Sequence, residues 1–98
     1  MLFDNNAVDN HFENNIIEGK NVTAPNAVYD LVTSSSTSTD SVGSFVANHF
    51  INGSGGLVFK SPAASFTSGI EVDGNHFDDQ CGPGIEMENT IYPKITNN

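Results

Sequence analysis

The chain has 98 residues, a length that suits one domain. Hydrophobic residues make up 37% and charged residues 15%, and three Lys, no Arg and twelve acids give a formal net charge of -9. That balance excludes nucleic-acid binding through a basic face, makes an anionic membrane surface a poor partner, and leaves no apolar run near the roughly 20 residues of a membrane span. Charge-driven disorder is excluded too, because the polar residues are Asn, Ser, Thr and Gly rather than Lys, Glu and Pro. Met1-Leu2-Phe3-Asp4 carries neither the basic region nor the apolar core of a signal peptide. A single cysteine, Cys81, excludes an internal disulfide and a Cys-based zinc site.

The first predicted element holds Val8, Asn10 and Phe12 on one face, followed by a short Asn15-Ile16-Ile17. A strand is predicted over Ala27–Val32. Residues 33–44, TSSSTSTDSVGS, have almost nothing to bury and read as a loop inserted into the single domain 1–98. Phe45, Asn48 and Phe50 then share a face, and Leu57 and Phe59 follow the turn Gly53-Ser54-Gly55-Gly56. Next, Ile70 and Val72 alternate with Glu71 and Asp73. After the turn from Asp78 to Gly84, Ile85 and Met87 alternate with Glu86 and Glu88. Period two marks strands with one buried face. Ile91 to Asn98 begins a further unit. No window shows the three-and-four spacing of an amphipathic helix.

The tripeptide Asn-His-Phe orders these elements, occurring at 10–12, 48–50 and 75–77. The spacings are 38 and 27 residues, and removing the twelve of the Ser/Thr loop makes them 26 and 27. Short strands on a fixed repeat select a solenoid over a sandwich or barrel. Phe12, Phe50 and Phe77 are expected to stack inside, with Asn10, Asn48 and Asn75 as a corner ladder whose left-handed backbone suits Asn. The three His residues, 11, 49 and 76, fall on the outer face.

GIEVDGNHF (69–77), GPGIEMEN (82–89), FVANHF (45–50) and GLVFK (56–60) carry a resemblance to the right-handed parallel β-helix of the pectate-lyase-like superfamily. The resemblance covers about 70 residues and implies an all-β fold of about 3–4 coils, as a fragment of a longer helix. It further implies an extracellular or virion-associated protein that binds, or binds and cleaves, a polysaccharide, as phage tailspike and receptor-binding proteins do. Because tailspikes are typically trimers, the resemblance also implies a homotrimer. The alternatives are a fragment of a secreted polysaccharide lyase or glycoside hydrolase, and an adhesin or stalk without catalysis. A complete lyase site is disfavoured, because family members that eliminate acidic polysaccharides use an Arg and this chain has none.

Candidate catalytic residues are the carboxylates Asp78, Asp79, Glu86 and Glu88. Glu86 and Glu88 lie two apart on one strand face, about 6.6–7 Å. That falls within the roughly 6.5–9.5 Å that inverting hydrolysis uses. Asp78-Asp79-Gln80-Cys81 is similar to the paired Asp of polygalacturonase-like members, whose other motifs are missing here. His49, His76, Glu71 and Asp73 are the candidate sugar contacts. A His column also suits metal binding, but the simpler reading is an exposed residue after each corner Asn, and no metal site is assigned. No cofactor is required. Calcium is the one ion considered, with Asp73, Asp78, Asp79 and Glu86 as hard oxygen donors. Asn21-Val22-Thr23 and Asn52-Gly53-Ser54 match the glycosylation pattern, though Asn52-Gly53 reads first as a turn.

Overall fold

The computed structural model describes residues 2–3, 8–23, 30–35, 41–60 and 67–98. Among these there is no helix, and every strand pair is parallel. The strands begin with β1 (Leu2–Phe3), β2 (Val8–Glu13), β3 (Ile16–Glu18) and β4 (Val32–Ser35). They continue with β5 (Ser41–Val46), β6 (His49–Ile51), β7 (Leu57–Lys60), β8 (Thr67–Ser68) and β9 (Glu71–Asp73). The last are β10 (His76–Asp78), β11 (Ile85–Glu88), β12 (Thr90–Ile91) and β13 (Lys94–Thr96).

These strands form three parallel sheets. The first runs β1-β4-β7-β11. The second has β5 at its centre, with β2 on one side and the short β8 and β9 end to end on the other, extended by β12 and β13. The third runs β10-β6-β3. The chain visits the first, second and third sheets in turn and then returns to the first, so each pass lays one layer on the last. Parallel pairing cannot be closed by a tight hairpin, and the long return path supplies the crossover it requires.

Three sequence expectations are corrected by the register. Asn10-His11-Phe12 is not the equivalent of the other two Asn-His-Phe copies. Phe12 pairs with Phe45 in the second sheet, whereas Ile16 and Ile17 pair with His49 and Phe50 in the third. Identity of three letters misled; the inward face accepts Ile17 where Phe50 and Phe77 stand, because both side chains fill the core. The aromatic residues therefore form two separate stacks. Phe12 lies on Phe45 at 5.1 Å and 7°, and Phe50 on Phe77 at 5.0 Å and 9°. Both separations follow the strand spacing of about 4.8 Å.

The second correction concerns the predicted insertion at 33–44. Val32–Ser35 and Ser41–Val46 are strands at its two ends, while 36–40 lie outside the described residues. The extra length falls earlier. Thirteen residues, 19–31, join β3 to β4, against five (52–56) and six (79–84) in the two later layers. Ser and Thr enter the ladder because a parallel sheet needs their backbone groups, and Thr favours extended backbone. The third correction is the strand expected at Ala27–Val32. Residues 27–29 lie outside the described residues, Asp30 and Leu31 are not in a strand, and β4 starts at Val32.

The core is built from Leu31, Val32, Phe45, Phe50, Leu57, Phe59, Ile70 and Val72, with Phe12, Ile17, Phe77, Ile85 and Met87 packed against it. Burying each such side chain contributes about 1.5–3 kcal/mol. A ladder of Asn side chains borders this core. Asn15, Asn48 and Asn75 each donate from backbone N and from Nδ2 to Oδ1 of the next Asn, at 2.9–3.0 Å, ending on Asn98. The second Nδ2 hydrogen of Asn48, Asn75 and Asn98 goes to the carbonyl of Phe12, Phe45 and Val72. Asn48 and Asn75 are 1% and 4% exposed, so this full satisfaction is what makes them tolerable inside. The left-handed residue is the one before each ladder Asn: Asn14, Ala47, Gly74 and Asn97 have φ of 57°, 53°, 63° and 55°. The ladder Asn is thus chosen for its amide, not for a left-handed backbone.

Candidate functional site

The outer face of the third sheet carries the one group of three His and acidic side chains, among the described residues, whose donor atoms lie close enough together to share a metal ion. On β3, β6 and β10 the middle residues Ile17, Phe50 and Phe77 point inward, leaving the flanking positions outside. Register sets these outer positions in two rows: Ile16, His49 and His76, then Glu18, Ile51 and Asp78. His76 and Asp78 are two apart on one strand and so share a face. His49 is the direct cross-strand partner of His76.

Asp78 bridges the two imidazoles. Its Oδ2 lies 2.6 Å from His49 Nε2, and its Oδ1 lies 2.9 Å from His76 Nε2. The two rings sit edge to face at 4.9 Å. The hydrogen bond from His49, supported by the charge of His76 nearby, holds the Asp78 carboxyl below the usual carboxylate range. Asp78 is therefore an anion at neutral pH, able to accept a proton or ligate a cation, and unsuited to act as a general acid.

The other predicted residues are placed apart. Asp79 is exposed in the corner after β10, with φ of 57°. Glu86 and Glu88 are on β11 in the first sheet, and Glu86 is engaged by Lys60 Nζ at 2.8 Å. The four candidate catalytic acids thus divide between the third sheet and its corner, and the first sheet. Glu71 and Asp73 are on β9 in the second sheet. Glu71 pairs with Lys94 at 2.6 Å. Asp73 accepts from Thr96 Oγ1 at 2.6 Å and Asn97 Nδ2 at 2.9 Å, bonds that lower its pKa. The oxygen donors considered for calcium are divided among three sheets, Asp73 on the second, Asp78 on the third and Glu86 on the first, with Asp79 in the corner after β10. His11 is also separated from the other two His: it stands on β2 and meets Ser44 Oγ at 2.6 Å. Cys81 is a half-buried free thiol.

Sequence reasoning named His49, His76 and Asp78 but in different roles, and missed that they converge. The available signal was His-x-Asp at 76–78, which puts both side chains on one strand face. Ile16, 73% exposed, pairs with His49 and heads the outer row, a position the short run Asn15-Ile16-Ile17 leaves open in the sequence. Neither a family model, nor a curated protein, nor a solved structure matches the chain.

Proposed function

We propose that the chain is a right-handed parallel β-helix that binds an extracellular polysaccharide along the outer face of its third sheet. Support for the coil comes from the cyclic visiting of three parallel sheets and from the Asn ladder that keeps the layers in step. Right-handedness follows from the rule that parallel crossover connections take that hand in about 98% of cases. The resemblance to tailspike-type members extends the reading to a homotrimer on a virion or outside the cell.

One observation carries the ligand class. The row Ile16, His49, His76 offers apolar and ring surface, and the ionised Asp78 lies beside it. A sugar ring presents an apolar face for the first and hydroxyl donors for the second. The net charge of -9 sets the preference for a neutral or cationic polysaccharide over an acidic one.

The test is retention on a panel of bacterial surface and plant cell-wall polysaccharides, read together with reducing-end and unsaturated-product assays. Retention of at least one polysaccharide is expected, weakened about tenfold or more by Ile16→Asp. No retention on any polymer, or retention indifferent to that substitution, overturns the assignment of this face and favours the stalk reading. Product formation directs attention to Asp78 and Asp79, and to Glu86 and Glu88.

A further inference from the structure

We infer that His49, His76 and Asp78 form a binding site for one divalent transition ion of the zinc class. The inference is independent of the polysaccharide reading. One ring nitrogen from each imidazole and one carboxylate oxygen lie within 4.8 Å of one another, and it is Nε2 of each ring that meets Asp78. Three donors on bonds of about 2.0–2.2 Å in a tetrahedral site stand about 3.3 Å apart, so small side-chain rotations gather them around one ion. The backbone needs no change, because β6 and β10 already hold the two His in direct register.

The donor set selects the ion. Two imidazoles and one carboxylate suit zinc, cobalt, nickel or copper, whereas calcium and magnesium take oxygen donors. In the absence of an ion, the carboxylate accepts from both Nε2 positions at 2.6 and 2.9 Å. An ion takes the place of those two hydrogens, and each neutral ring then carries its proton on Nδ1. Three protein donors leave a coordination position open for water or an oxygen of a ligand. The side chains are 36%, 68% and 43% exposed, so the affinity expected is micromolar rather than that of a closed structural site.

Calorimetric titration of the tag-free chain with Zn2+, and the visible absorption of bound Co2+, test this directly. One ion per chain is expected, displaced by neither Ca2+ nor Mg2+. Binding weakens about tenfold or more in His76→Ala, His49→Ala and Asp78→Asn, while His11→Ala binds as the parent does. Ring-proton spectra of the unsubstituted chain provide a readout independent of how the variants fold, with Zn2+ shifting His49 and His76 and leaving His11 in place. Failure to saturate at millimolar Zn2+, binding retained in the His49→Ala/His76→Ala double variant, or a shift confined to His11 overturns the site. The titration contains no carbohydrate, so its failure leaves the polysaccharide reading standing.

Discussion

Asn48 and Asn75 occupy equivalent positions in neighbouring layers, and both the backbone N and the Nδ2 of Asn48 donate to Oδ1 of Asn75, at 2.9 and 3.0 Å. Asn48 in turn accepts both donors of Asn15. Removing the Asn48 amide takes the acceptor from both the Asn15 N–H and Nδ2 and removes the Asn48 donor to the Phe12 carbonyl, while Asn75 Oδ1 keeps the Asn48 backbone N–H. Each part-buried group so stranded costs about 1 kcal/mol or more, and the cavity left at the buried Asn48 adds to it. Asn48→Ala is expected to lower unfolding free energy by about 3 kcal/mol or more in urea titration. Asn10→Ala, outside the ladder, is expected to cost about 1 kcal/mol or less. Equal costs for the two would restore the register suggested by the tripeptide.

The glycines separate two kinds of constraint. Gly43 has φ of 114°, and a Cβ there would fall 1.8 Å from the Asn10 carbonyl oxygen. Backbone cannot yield as a flexible side chain does, so Gly43→Ala is expected to abolish a cooperative melt or cost about 4 kcal/mol or more. Gly74 has φ of 63° with no atom within 4 Å of the added Cβ. Gly74→Ala therefore meets only the left-handed penalty of about 1–2 kcal/mol.

Ala47 is strained in the same corner position. It is exposed and has φ of 53°, where other layers place Asn14, Gly74 and Asn97. Ala47→Gly is expected to raise stability by about 0.5–1 kcal/mol, visible as a higher thermal midpoint. The gain is bounded by the extra freedom glycine brings to the unfolded chain.

The third sheet gives a paired test of inward and outward faces. Phe77 stacks on Phe50, and His76 beside it is exposed. Phe77→Asp introduces a charge among apolar side chains and is expected to prevent folding, whereas His76→Ala is expected to change stability by about 0.5 kcal/mol or less. Circular dichroism and thermal melts separate the outcomes.

Acid sensitivity follows from Asp78 and Asp73, whose carboxyls are depressed, the first by His49 and the second by Thr96 and Asn97. A depressed folded-state pKa gives stability that is full above the unfolded value of about 3.9. It is lost as pH falls through the folded value. The urea midpoint is thus expected to fall below about pH 4, and Asp78→Asn is expected to flatten part of that limb.

Much of the local structure was legible without coordinates. Period-two alternation over 70–73 and 85–88 sets Val72 inward and Glu86 outward, because side chains on extended backbone must alternate. Turn residues bounded the elements, and the low charge with abundant Asn marked a polar residue type that needs internal partners. What alternation cannot set is the offset between layers. Val8, Asn10 and Phe12 satisfy the pattern in either sheet, and three matching letters pointed to the wrong one.

Tertiary pairing decided the rest. Placing Phe12 on Phe45 at an offset of 33 residues, instead of on Phe50 at 38, moved the ladder to Asn15 and took His11 away from His49 and His76. The candidate site depends on the same step, since His49 and Asp78 are 29 residues apart and meet through the parallel register of β6 and β10. The sequence by itself determined which faces are buried, because burial follows from hydrophobicity along one strand. Which strands adjoin was settled by packing and by the closure of hydrogen bonds between layers, quantities that belong to residues far apart in the chain.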